Sequence, residues 1–327
     1  MYPSTTEFPT ISHKIVANRP VKRHYNIRLD DTQHINRLAR MVTDSGIGLI
    51  LSGGGARGFA HIGIFKALKE MDLPIDMVCG TSIGGIIAAG IAIDYKLDFL
   101  LEQYKSAFVK YKPLNDYTLP VISLLKGHKL HKINRKYFKE FHIEDLWLNF
   151  FCISCNYTTS EIVVHDKGPV WKAVTASVSI PGVLPPVVEG NFLLVDGGVV
   201  NNFPVDIMKN KYGGKLIGID LKVEKEYKLN YTNLPSGWYL FFSKFLPFMK
   251  RYKSPSIATI MMKSTLLASA QHQRKMIPDL DLYLRPPVAD FGLLKLNDFD
   301  NIVEAGYNYA TQTLTREDLK AFYAPGR

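Results

Sequence analysis

A serine hydroxyl becomes a nucleophile where a sharp corner exposes it, and Gly80-Thr81-Ser82-Ile83-Gly84 has the residue types for such a corner. The apolar run Ile75-Asp76-Met77-Val78-Cys79 precedes it as an expected strand, and Ile86 to Ile93 follows as an expected helix. A turn this sharp leaves no room for a Cβ on either side of the serine and often needs positive φ, which accounts for Gly80 and Gly84. Ser82 then stands at a helix N-terminus, where the dipole and free N–H groups favour an alkoxide and a developing oxyanion. Five residues also fit a glycine-rich turn with an ordinary capping serine, so the reading depends on what else the chain brings.

Acyl transfer needs a base and backbone donors beside the nucleophile. Two more glycine-bearing corners offer them. Gly53-Gly54-Gly55-Ala56-Arg57-Gly58 follows the apolar run Gly46 to Ser52, and its N–H groups around Gly54, Gly55 and Ala56 are the candidate oxyanion hole, with Arg57 adding positive potential or anchoring the loop. Asp196-Gly197-Gly198 ends the apolar run Phe192 to Val195, so Asp196 is the candidate base, although taken alone it reads better as a turn residue. The one histidine after Asp196, His272, lies in the polar helical string Ser269 to Arg274 and is not expected to complete a triad. Gly53-x-Gly55-x-x-Gly58 also has the dinucleotide spacing, but that reading wants an acidic residue at the end of the second strand, where Gly80-Thr81-Ser82 stands instead. Asp72 and Asp76 fall on the other edge.

The elements that must position these corners read as strand, glycine loop, helix, strand, elbow, helix, a βαβα unit whose strands run parallel. Phe59, Ile62, Phe65, Leu68 and Met71 mark the first of those helices, closed before Pro74. Upstream, residues 1–28 read as a polar, loosely packed arm, followed by a helix capped by Asp30 or Asp31 with Ile35, Leu38, Ala39 and Val42 on its buried face. Downstream, Phe150 to Cys155 and Glu161 to His165 read as a hairpin-like pair, Trp171 to Ser179 as a helix, Lys215 to Leu221 and Asp281 to Leu284 as strands, and Phe299 to Leu314 as the last amphipathic helix. Lys126, Lys129, Lys132 and Arg135 read as a solvated basic face, with a binding patch as the alternative.

In 327 residues, 46% hydrophobic, there is ample material for a large α/β core. No apolar run reaches the length of a membrane span and no signal peptide is apparent, so a cytoplasmic protein, peripheral to a membrane at most, is expected. Cys79, Cys152 and Cys155 suggest neither a disulfide framework nor a metal site. The net charge of +10 suits an anionic partner, and with no nucleic-acid-binding signature an anionic membrane is the candidate.

Gly-Gly-Gly-x-Arg-Gly, Gly-x-Ser-x-Gly and Asp-Gly-Gly, in this order and each after a strand, resemble the patatin-like phospholipases. Ala176 to Pro186 looks like that family's segment ahead of the aspartate, and Ile35 to Arg57, Asp116 to Pro120, Ile143 to Trp147 and the Ser236–Trp238 region are similar to the esterase domain of neuropathy target esterase and its bacterial relatives. The resemblance implies a three-layer α/β/α fold over 29–327 with a central, mostly parallel sheet. It also implies a Ser82–Asp196 dyad hydrolysing phospholipid or lysophospholipid through an acyl-enzyme, with no metal or cofactor. Relatives of that subfamily often carry membrane and cyclic-nucleotide-binding regions upstream, for which this chain leaves no room. A non-enzymatic membrane-binding module would explain the charge but leave Ser82 and Asp196 unexplained. Residues 234–253 join seven aromatics to four basic residues, a composition that fits either an interfacial segment or a lid over the crevice.

Overall fold

The computed structural model describes residues 1–3, 5–17, 19–222, 233, 235–243, 246, 250 and 257–323. In chain order the elements are α1 (Ser12–Ala17), α2 (Thr32–Val42), β1 (Ile47–Leu51), α3 (Phe59–Glu70), β2 (Met77–Thr81), α4 (Ile83–Ile93), α5 (Leu97–Lys105) and α6 (His128–Phe138). They continue with β3 (Asn149–Asn156), β4 (Glu161–His165), α7 (Val170–Ser177), β5 (Val187–Glu189), β6 (Phe192–Asp196), α8 (Val205–Tyr212) and β7 (Lys215–Ile219). Last come α9 (Gly237–Phe242), α10 (Ile257–Met276), β8 (Leu282–Leu284), α11 (Phe299–Thr313) and α12 (Arg316–Tyr323).

The strands form one sheet, in which β3, β2, β1, β7 and β8 pair parallel, β4 and β6 pair antiparallel with β3, and β5 pairs antiparallel with β6. Its two faces follow from alternation along each strand. Leu49, Val78, Phe150 and Ile217 join the core under α3, α4, α7 and α11, whereas Ile50, Cys79, Phe151 and Leu216 join a smaller core with Met41 of α2 and Val205 and Met208 of α8. The architecture is therefore helix, sheet, helix.

The sheet register does one thing that a strand order alone conceals. β4 overlaps both β2 and β6 along β3, so it occupies one edge of β3, and β2 and β6 share the other. The parallel pairing with β2 stops at Thr81↔Ile153, and the antiparallel pairing with β6 takes over at Asp196↔Ser154. Two strands of opposite direction thus meet end to end, with Ser82 and Asp196 at the junction.

Two expectations need correction. The buried face of α2 consists of His34, Arg37 and Met41, while Ile35 and Val42 point outward. The cause is Asp76, fully buried just before β2, which accepts from Ile47 N and from Arg40 Nε and Nη2 at 2.9, 2.9 and 2.6 Å. A buried carboxylate must be paired, and with Arg37 donating to the Asn26 carbonyl this sets the rotation of the helix. Nor is the N-terminal arm loose. Asn26 Nδ2 donates to Glu144 O and Leu146 O at 2.9 and 2.8 Å, and Trp147 Nε1 donates to Glu7 O at 3.0 Å, so the arm satisfies a turn that would otherwise bury unpaired groups.

Nine of the twenty residues of segment 234–253 lie outside the described residues, among them three of its four basic side chains; within the rest, α9 leaves Trp238 exposed. Among the described residues no helix is long and apolar enough to cross a membrane.

Candidate active site

β2 carries the chain to Ser82, which adopts φ 57° and ψ −129° before α4 begins at Ile83. Such a conformation costs a non-glycine residue about 1–3 kcal/mol and persists only where its surroundings hold it. Here the Ser82 N–H donates to Ser177 Oγ at 3.0 Å and its hydroxyl donates to Asp196 Oδ2 at 2.6 Å. The positive φ therefore falls on the serine itself. The flanking glycines are required for close approach instead: a Cβ on Gly80 would stand 2.4 Å from the Gly84 carbonyl carbon, and one on Gly84 would stand 2.3 Å from Leu51 O.

Asp196 ends β6, 2% exposed, where Gly197 packs so closely on Ile153 that no side chain would fit. Its Oδ1 accepts from Gly198 N at 2.7 Å and its Oδ2 from Ser82. Burial outweighs both bonds and pushes the carboxyl up to about 6, from an ordinary value near 3.8. An acid of that strength is mostly deprotonated near neutrality and is a far better base than a free aspartate.

The glycine loop passes directly against the serine: a Cβ on Gly53 would lie 3.1 Å from Ser82 Cβ. Not all of its amides are available. Gly53 N donates to Asn202 O, and Ala56 N donates to Leu293 O at 2.8 Å, whereas the N–H groups of Gly54, Gly55 and Ile83 have no acceptor among the described residues. Arg57 anchors the loop, donating through Nε to Phe291 O at 2.8 Å and through Nη2 to Ala289 O at 3.3 Å.

Three supporting residues carried no clear sequence signal. Asn202 Nδ2 donates to Gly53 O at 3.1 Å, tying the turn after Asp196 to the glycine loop, and Ser177 occupies the Ser82 amide. His61, fully buried, has Nε2 2.9 Å from Ser52 O, and burial lowers its ring to about 4, leaving it neutral. The adjacent amides Asn201-Asn202, shortly after Asp-Gly-Gly, are the signal that could have found one of them, since such side chains suit backbone anchoring after a tight turn. His272 Nε2 lies 3.3 Å from Asp206 Oδ2, and among the described residues no histidine contacts Ser82 or Asp196.

Above Ser82 opens an apolar crevice of about 60 Å³, walled by Gly55, Ile86, Phe108, Leu130, Ile180 and Leu294. Ile86 and Phe108 also wall a second cavity, of about 270 Å³, between α4, α5 and α6. Phe108 sits in a π-helical turn, Ser106–Lys110, that continues α5. Such turns break the regular ladder and often accompany functional sites.

Residues 49–209 match the family described as patatin-like phospholipase. A protein named Lysophospholipase NTE1 from Kluyveromyces lactis is 33% identical over 311 residues, covering 93% of this chain and 22% of its own. Its namesake from Debaryomyces hansenii is 35% identical over 314 residues, covering 94% of this chain and 20% of its own. The chain thus spans about a fifth of the length of these relatives. Among solved structures, VipD from Legionella pneumophila aligns at a TM-score of 0.45 with 12% identity, over 82% of this chain and 66% of that one.

Proposed function

The chain belongs to the patatin-like phospholipase family, and from that premise we propose that it hydrolyses the acyl ester of a lysophospholipid or phospholipid through a Ser82–Asp196 dyad. The observation that carries this reading is the 2.6 Å hydrogen bond from Ser82 Oγ to a buried carboxylate at the mouth of an apolar crevice. The lysophospholipase relatives support the substrate class.

The cycle follows from the geometry. Asp196 takes the Ser82 proton as Oγ attacks the ester carbonyl carbon, and the tetrahedral oxyanion is held by the N–H groups of Gly54, Gly55 and Ile83, which have no other acceptor among the described residues. The carbon–oxygen bond to the alcohol breaks, the alcohol leaves with the proton from Asp196, and the acyl group remains on Ser82. Water, deprotonated by Asp196, then attacks the acyl-enzyme and releases the fatty acid. Fixed amides need no reorganisation during the reaction, which is where their advantage over solvent lies. The acyl chain runs along the crevice towards Phe108, and longer chains continue past it into the adjoining cavity.

A dinucleotide role draws no support: Asp76, the acid nearest β2 in the chain, lies just before that strand, at the opposite end from Ser82, and is consumed by Arg40 and the Ile47 amide.

The test is fatty-acid release from 1-acyl lysophosphatidylcholine, read by mass spectrometry for the parent chain and for Ser82→Ala. Release by the parent alone supports the reading. Release at equal rates by both removes the dyad, and no release by the parent removes the substrate class.

A further inference from the structure

We infer that the hairpin loop from Tyr117 to Ile122 is the element by which this chain enters an anionic lipid surface. Tyr117, Leu119, Val121 and Ile122 are 72, 80, 81 and 71% exposed, four large apolar side chains within six residues. Single exposed apolar residues are ordinary on a protein surface, but a contiguous group of this kind marks an interaction site.

The tip is exposed because its stem is fixed elsewhere. Tyr117 bridges Leu125, Thr118 N donates to Leu124 O at 3.1 Å, and Leu124 N and Leu125 N donate to Gly182 O and Val183 O at 2.9 and 3.0 Å. Those partners belong to the segment whose Ile180 and Leu184 line the crevice over Ser82. Pro113 and Leu114, just before the hairpin, and Leu130, just after it, line the same crevice. The loop therefore projects beside the mouth through which a lipid would pass, and in that respect the inference rests on the hydrolase reading.

Charge selects the occupant. Between Lys110 and Lys136 the chain has seven lysines and arginines against one carboxylate, Asp116. That carboxylate is turned inward, accepting from Lys129 N at 3.1 Å at the start of α6. Lys112 before the loop, Lys126 after it, and Lys129 and Lys132 on α6 are all exposed in the flanking chain. Aliphatic side chains with a basic collar match the boundary between acyl chains and anionic headgroups, whereas a second copy of this chain would bring the same positive charge against itself.

Vesicle sedimentation with the Ser82→Ala chain tests this apart from catalysis, using phosphatidylcholine vesicles with and without phosphatidylserine. The combined Leu119→Ser, Val121→Ser and Ile122→Ser variant should bind the phosphatidylserine vesicles about tenfold less tightly or worse, from the loss of apolar contact. Lys126→Gln with Lys129→Gln and Lys132→Gln should weaken binding to those vesicles but not to neutral ones. In the chain that retains Ser82, the three loop substitutions should leave hydrolysis of a short soluble ester unchanged. Unaltered vesicle binding overturns the inference, as does equal binding to neutral vesicles, equal loss on the soluble ester, or a dimer that the loop substitutions dissociate. A chain that binds vesicles but releases no fatty acid sinks the hydrolase reading and leaves this one standing.

Discussion

Ser82 Oγ donates to Asp196 Oδ2 across 2.6 Å at the point where β2 and β6, running in opposite directions, meet end to end along one edge of β3. Because each strand is held in register by β3, the distance between the two side chains is set by the sheet rather than by a loop. Replacing Asp196 with Asn keeps the shape and one acceptor oxygen, exchanges the other for an NH2 donor, and removes the base. The expected outcome is a fall in kcat of at least about 1,000-fold with the fold intact, near the range seen when one member of a catalytic unit is removed. Near-parental turnover by folded Asp196→Asn protein would exclude Asp196 as the base.

The same carboxyl predicts a stability signature. Its folded value of about 6 lies above the ordinary one near 3.8, so the folded chain retains a proton that the unfolded chain releases. Its contribution to stability is therefore fully present below about pH 4 and is lost as pH rises through about 6, by about 3 kcal/mol in all. Thermal melts should show Asp196→Asn gaining on the parent chain as the buffer moves from pH 4 to pH 7.5. A gap that does not change with pH would contradict the raised value.

Activity should run the other way. As the base, Asp196 must be ionised, so kcat/KM on a soluble ester should rise with pH and level off above its value of about 6. His272→Ala should leave that profile and its plateau unchanged, because His272 is engaged with Asp206. A profile that shifts with His272→Ala would point to a triad.

Chain-length preference should depend on Phe108, which stands between the Ser82 crevice and the larger cavity behind it. Phe108→Ala should raise kcat/KM for long acyl chains relative to short ones, and Ala107→Trp, filling the cavity behind, should lower it. Parallel changes on all chain lengths would mean that the second cavity takes no part in acyl binding.

Much of this site was legible in the sequence because it rests on residues whose roles are local. Gly80, Gly84 and Gly197 leave room that no other residue could, and the apolar runs before Gly53 and Ser82 are fully buried strands, while the run that ends in Asp196 is buried from Leu194 onward. What the sequence concealed is tertiary. The meeting of β2 and β6 on one edge of β3 depends on where each pairing stops. The buried arginine face of α2 depends on Asp76, more than thirty residues away. That Ala56 N–H serves Leu293 rather than the crevice is fixed by a contact over two hundred residues distant. The apolar loop at 117–122 gave no signal either, because exposure is a property of the folded surface and not of the composition.

The most direct measurement is the site of reaction with an active-site-directed fluorophosphonate. After incubation, intact-mass spectrometry and peptide mapping should find a single phosphonyl adduct on Ser82, formed far more slowly in Asp196→Asn and absent from Ser82→Ala. An adduct on another residue, or equal labelling of Ser82→Ala, would contradict the account of Ser82 as the nucleophile.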